Sequence, residues 1–484
     1  MRASLRQWWR DAEPWYAAIG VANMVMGTSS ILIPLMLAEV LGRSVRDLGI
    51  LSSLVSLVGV VGSLVWGRLS DAAHRRKLFV VLSFAALSIG FAGLAFVHSF
   101  GTLLVVNMAL NFFWVANAAV TVLIVIENQD HAAWESKIGH LNQIGAFGWV
   151  GGLLLGSAGL AVLNHFVLET TALRLLSLIL AVGASGATVL ALVFVPRTRP
   201  RFTRRRFRGA VVALGNFLVE QARFGPFHLY HRFAPRNLPT MLWGPEGLRH
   251  ETKLFLLATL LVFTGLGFFA VPLPLLLYEH FNLPSSMVFL YFMVQHVAVV
   301  GAYPLASRRI MRWGNKNVQI AALLVRMVLF TATSVFLSAS STAPSAPMLV
   351  VFFLLIGGSW SYFQLSGVAL VSRLAKPENR GKALGLYNAI AGVGAILAGV
   401  AAGFIVEGMG YQATFAVAAV LLVIALGILY RMPLPRLRRA PTTAFNRSEQ
   451  ANSTPRNGTP TDASRNRAGA QKEWFAPMPR QERP

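Results

Sequence analysis

The chain has 484 residues, 55% of them hydrophobic and 13% charged, with no cysteine and a formal net charge of +24. Soluble domains carry roughly 25% charged residues, so most of this chain is not built for water, and the missing thiols exclude disulfides and thiolate metal sites. The basic residues lie almost wholly between apolar runs and in the tail, where membrane orientation accounts for them, and no nucleic-acid partner is expected.

Residues 1–14, with Arg2, Arg6, Arg10 and Trp8–Trp9, lack a small-residue cleavage site, which predicts an uncleaved signal-anchor as the first span. Twelve stretches then reach the ~20 apolar residues needed to cross ~30 Å of hydrocarbon. Six lie within 15–195: Trp15–Ala38, Leu48–Trp66, Leu78–Val97, Thr102–Ile126, Ile138–Leu163 and Leu173–Val195. Six more lie within 254–432: Leu254–Leu277, Ser286–Ala306, Val318–Leu337, Met348–Val371, Ala383–Val406 and Ala413–Tyr430. Between them, 196–253 opens with the basic run RTRPRFTRRRFR and continues into Gly209–Phe224, which suits a surface-lying helix or a linker helix packed under the bundle. The tail, 433–484, is rich in Arg, Pro, Ser, Asn and Thr and is predicted to be disordered. Its N-x-S/T triplets at Asn446, Asn452 and Asn457 are read as chance, because topology places them inside.

Charge tests the count. With the N-terminus cytoplasmic, the inside loops hold Arg75, Arg76 and Lys77, then Lys137, the twelve Lys and Arg of Arg197–Lys253, Arg308, Arg309, Arg312 and Lys316, and finally Arg373, Lys376, Arg380 and Lys382. The outside loops hold only Arg43, Arg46 and Arg174. A missed helix would invert every later loop, so both termini are predicted to be cytoplasmic and the protein integral to the plasma membrane.

The stretch GRLSDAAHRRK (Gly67–Lys77) reads as a water-facing turn between spans two and three. Its Gly67, Asp71, Arg75 and Arg76 fit the spacing of the loop between the second and third helices of the major facilitator superfamily. Ala72 and His74 stand where that family has a basic residue and a glycine. PENRGKALGLYN (Pro377–Asn388) before span eleven is typical of the same family, and a shift of 246 residues pairs Gly139, Asn142, Ile144 and Gly148 with Gly385, Asn388, Ile390 and Gly394. The turn Tyr303–Lys316 repeats the opening motif with Ser307 in the place of Asp71. The chain therefore resembles this family over about residues 14–432. That implies an all-α membrane protein of 12 transmembrane helices in two parallel, pseudo-repeated six-helix halves. Gly148, Gly152 and Gly156 resemble the fifth-helix glycine motif of its drug:proton antiporter branch, with Leu153 in place of the motif's proline and Ser157 in place of its last glycine.

Transport by alternating access needs two halves rocking about a central site. The small residues Gly148, Gly152, Gly156, Gly392, Gly399 and Gly403 suit close helix contacts, sliding or fixed. The resemblance implies that Asp71 latches a gate against span eleven; the plainer reading is a charged turn that sets orientation. Candidates for the substrate cavity are Asn23, Asn107, Asn111, Trp114, Gln295, Trp360 and Gln364, polar or aromatic groups at mid-depth that line a cavity or hydrogen-bond between helices. Glu39, Glu127, Glu279 and Glu407 all lie at span ends, so His296 is the best-placed titratable group for coupling. Arg326, eight residues into span nine, is expected to snorkel to the cytoplasmic interface or to pair with an anionic substrate.

The loops hold no phosphate-binding glycine loop, metal-ligand cluster or nucleophile motif, so transport rather than catalysis is expected, with no metal and no cofactor. The expected activity is proton-coupled efflux of amphipathic organic compounds by a monomer in the lipid bilayer. Uptake or facilitated diffusion of a neutral solute such as a sugar, and a transport-inactive scaffold or sensor, stand as alternatives.

Overall fold

A computed structural model describes residues 13–73, 76–128, 134–196, 249–340, 342–375 and 380–433. The basic linker, the tail and the first twelve residues lie outside these. Within them the chain runs through α1 (Tyr16–Leu35), α2 (Val45–Ala73), α3 (Arg76–Ala95), α4 (Phe100–Asn128), α5 (Trp134–Leu163) and α6 (Glu169–Phe194). It then forms α7 (His250–Ala270), α8 (Ser285–Trp313), α9 (Asn315–Ala339) and α10 (Ala346–Leu374). The last helical stretch, Arg380–Arg431, is interrupted at Gly410 (φ 84°, ψ 171°), a conformation that only glycine adopts without strain. We number its two arms α11 (380–409) and α12 (411–431). Counted as one, it brings to 11 the described helices long and apolar enough to span a membrane. At ~1.5 Å per residue it would be roughly two and a half times as long as a ~30 Å hydrocarbon layer is thick, and the break at Gly410 divides it into two arms of about span length.

The pairing of helices repeats. In the first half α1 packs on α5 and α6, α2 on α4, and α3 on α4 and α6. In the second, α7 packs on α11 and α12, α8 on α10, and α9 on α10 and α12. The halves meet through α2 on α11 and α5 on α8, each the counterpart of the other.

A local signature of the repeat sits where the first helix of each half ends. Residues 33–42 (IPLMLAEVLG) and 273–282 (LPLLLYEHFN) align at a shift of 240 residues, and each closes in a π-helical turn, Met36–Val40 and Leu276–His280. Arg43 N–H donates to the Leu37 carbonyl and Leu283 N–H to that of Leu277, both at 3.0 Å, while Gly42 (φ 60°) and Asn282 (φ 50°) take the left-handed conformation that reverses the chain. The two halves thus share their hydrogen bonds as well as their hydrophobic pattern.

We call the face at Tyr16, Arg76 and Arg431 the near face and that at Gly42, Glu169 and Gly410 the far face. Large apolar side chains are exposed along α3 (Ile89), α6 (Val182, Val189), α9 (Val328) and α12 (Val423), as expected of surfaces solvated by lipid. Cations cap carbonyl ends at both faces. Arg174 donates to Ala95 O (2.7 Å) and Val97 O (3.0 Å) beyond the end of α3, and Lys316 to Tyr430 O (3.0 Å) and Met432 O (2.6 Å) at the end of α12.

Two expectations change. The stretch Gly67–Lys77 is not a ten-residue turn: α2 runs on to Ala73 and α3 starts at Arg76, the stretch holding no proline and its one glycine, Gly67, lying within α2. Arg76 is also buried, at 4% exposure, and partnered rather than water-facing. Of the motif, Gly67 and Asp71 are described only as helical backbone, and Arg75 lies outside the described residues.

The fold depends on missing side chains where α1 crosses α5. A Cβ on Gly152 would fall on the Met24 carbonyl, whereas one on Gly151 would meet nothing within 4 Å. Gly152→Val is therefore expected to lower stability by about 1–3 kcal/mol or more, with Gly151→Val close to the parent. Thermal unfolding of the detergent-purified proteins checks it.

Candidate functional site

The central space is assembled from α1, α2, α4, α5, α7 and α8. Its larger cavity, about 410 Å³, is lined by Ser29 and Ser30 of α1, Ser52 and Ser56 of α2, Asn107 and Asn111 of α4, Trp149 of α5, Pro274 beyond α7, and Phe292, Gln295 and His296 of α8. A second cavity, about 300 Å³, lies nearer the near face and is lined by Asn23, Trp114, Asn117, Thr121, Asn142, Trp149 and His296. Both are polar in part and bounded by aromatic rings, the usual make-up of a small-molecule site.

Local packing sets these side chains. Asn111 Nδ2 donates to Val55 O (2.6 Å), which ties α4 to α2, and Gly59 leaves the room this needs. Asn23 Nδ2 donates to Ile19 O (2.8 Å), and its side chain lies over Gly145 and Gly148 of α5. His296 Nδ1 lies 2.9 Å from the Phe292 carbonyl, an acceptor that requires the proton on Nδ1 in the neutral ring and leaves Nε2 as the open nitrogen. Of the polar atoms around the larger cavity, Trp149 Nε1 and Gln295 Oε1 are buried without a partner.

The sequence candidates fall in different places. Asn107, Asn111, Gln295 and His296 line the larger cavity, and Asn23 and Trp114 the smaller. Trp360 and Gln364 line neither. Trp360 packs on Phe263 and Phe363 within the second half, and Gln364 Oε1 is buried there unpaired. Arg326 does not snorkel. At 5% exposure it stays inside the second half, donating to Ile356 O (2.8 Å) with its guanidinium 5.4 Å from the centre of the Trp360 ring. A carbonyl and an aromatic face compensate its charge in place of water. The sequence does not mark out Trp149 or the four serines; Trp149 sits within FGWVGG, whose glycines read as packing.

The glycines divide by partner. Gly148 and Gly152 lie against α1 in their own half, where Thr28 Oγ1 also donates to Gly152 O (2.6 Å). Gly156 lies against Phe289 of α8, Gly392 against Val60, and Gly399 and Gly403 against the backbone of α2, all across the two halves. Further contacts cross toward the far face. Ser53 Oγ donates to Ile396 O (2.6 Å), Ser157 Oγ to Ser286 O (2.8 Å) and Tyr278 Oη to Glu39 Oε2 (2.7 Å), and Arg46 pairs with Glu407 at 3.4 Å. That ion pair is nearly half exposed on both sides and contributes about 0–1 kcal/mol. The Tyr278–Glu39 bond is part-buried and charge-assisted, and so the stronger tie.

A family model described as Major Facilitator Superfamily matches residues 16–323 and 255–471. The MFS-type transporter ppzB of Metarhizium rileyi is 30% identical over 195 residues, 38% of this chain and 39% of that protein. The MFS antiporter QDR3 of Candida albicans is 30% identical over 102 residues, 21% of this chain and 15% of its own length. The chain thus spans well under two thirds of these relatives. The crystal structure of the nucleoside transporter NupG superposes with a TM-score of 0.67 at 15% identity, covering 87% of this chain and 98% of that one, a likeness of fold.

Tyr278→Phe removes the stronger far-face tie. A hydrogen bond to a charged group is worth roughly 1.5–3 kcal/mol, so the variant is expected to open the far face roughly ten- to a hundredfold more often. Modification of Ser30→Cys by a thiol reagent added from the far face measures this, and an unchanged rate would remove Tyr278 from the closure.

Proposed function

The chain belongs to the major facilitator superfamily of membrane transporters, and from that premise we propose that it works by alternating access and exports amphipathic organic compounds against a proton gradient. The larger cavity carries the substrate class: no Asp, Glu, Lys or Arg stands among its described lining residues, which supply hydroxyls, amides and rings. Desolvating a highly charged solute there would go uncompensated, whereas a neutral or weakly polar one finds hydrogen bonds and aromatic faces. The likeness to an MFS antiporter supports exchange as the mode of transport.

His296 is the coupling residue in this reading. His296 lines both cavities with its Nδ1 engaged, so a proton taken up on the ring changes the charge of the path itself. Asp71 serves as the near-face latch that the sequence resemblance implies. The protein acts as a monomer in the plasma membrane with both ends cytoplasmic. A second reading, uptake or facilitated diffusion of a neutral solute such as a sugar, draws support from Ser29, Ser30, Ser52 and Ser56 in the same wall.

Counterflow in proteoliposomes, with and without an imposed pH gradient, separates the two. Efflux coupling predicts stimulation by the gradient in the parent and none in His296→Ala with substrate binding retained; equal stimulation in the variant would take His296 out of the coupling role. Asp71→Asn is expected to lower transport on the order of tenfold, as for loss of a gate contact worth about 1.4 kcal/mol, while the protein still inserts. Full activity would refute the latch.

A further inference from the structure

Among the described residues, the two central cavities share two lining residues, Trp149 and His296. One comes from each half, α5 and α8, and their rings stack at 6.0 Å between centroids and 23° between planes. The two helices run antiparallel, and seven residues further toward the far face Gly156 receives the ring of Phe289. The stacked pair therefore lies two turns below a closed contact, in the same helix–helix register. On the side of α1, Gly27 lies directly against the Trp149 backbone, which holds this stretch of α5 close to α1. Bonding of His296 Nδ1 to its own helix fixes the imidazole in turn.

We propose that Trp149 and His296 form a septum across the translocation path, one leaf on each half, which keeps the two chambers separate until the halves move. The leaves ride on opposite halves, so any rocking that separates α5 from α8 unstacks them. When they part, the indole Nε1–H, buried here without an acceptor, and the imidazole Nε2 face the same lumen as a donor and an acceptor. The solute that profits is a neutral one carrying both a carbonyl or ether oxygen and an O–H or N–H, small enough for a chamber of about 410 Å³. This rests on the transporter reading of the cavities, but its test uses no transport, so the two fail separately.

The chain contains no cysteine, so single thiols can be read against a silent background. Ser52→Cys reports the larger chamber and Asn142→Cys the smaller, with the full-length protein in nanodiscs and a methanethiosulfonate reagent added from the near face. In the otherwise unaltered septum, Asn142→Cys is expected to react and Ser52→Cys to lag. Trp149→Ala and His296→Ala should each raise the Ser52→Cys rate about tenfold, the loss of roughly 1.4 kcal/mol of closure, with Trp149→Phe near the parent and Asn142→Cys unchanged throughout. Because the two alanine variants remove opposite leaves, a folding defect in one leaves the other as the test. Ser52→Cys rates that stay the same with the septum intact and removed, or that equal those of Asn142→Cys at the outset, would overturn the proposal.

Discussion

In lipid, apolar side chains gain nothing by leaving their solvent, so two helices hold together only as far as their backbones can approach and hydrogen-bond. The constraint is sharpest where α2 crosses α11. A Cβ on Gly49 would fall on the Gly399 carbonyl, one on Gly403 would press on Val45 and Arg46, and the Ser53 hydroxyl reaches the Ile396 carbonyl beside them. This crossing and its counterpart, α5 on α8, are the principal helix pairings between the halves, and each combines bare backbone with a serine that bonds across it. Such contacts are short in reach. They can close or part, but they have no compressible middle, which suits a joint between two rigid bodies.

Within each half the ties are of another kind. Thr28 to Gly152, Asn111 to Val55 and Arg326 to Ile356 join neighbouring helices of the same half through a side chain and a carbonyl. Arg326 is the costliest, a cation held at the middle of a span by a carbonyl and the Trp360 face. A buried charge that loses its partners is strongly destabilising, so this contact holds α9 to one register against α10. Stiff halves and a brittle joint are the combination that alternating access uses.

The sequence carried the fold far. Apolar runs of span length set the helices, and the same segments now pair in two matching sets, because hydrocarbon thickness leaves a helix little choice of where to end. In the sequence the repeat shows in Gly139–Gly148 against Gly385–Gly394 at a shift of 246, while the closer backbone match, Pro34–Gly42 against Pro274–Asn282, sits at 240. It hides because its likeness lies in a π turn and a left-handed residue, which glycine and asparagine supply equally well. Arg326 was misplaced because the sequence shows how deep a residue lies in a helix and not which side of the helix it occupies. Trp149 escaped notice for a related reason: the distance between α5 and α8 that makes it a wall of both cavities is a property of tertiary packing.

Alternating access in this fold requires the two halves to move as bodies about the α2–α11 and α5–α8 contacts. Spin labels at Ser44→Cys and Met409→Cys, exposed far-face positions on either side of the first contact, measure that movement directly by electron–electron double resonance. Two distances are expected, a short one with the far face closed and a longer one, whose proportions shift when Tyr278→Phe is added. A single distance, unmoved by that substitution and by pH, would contradict it.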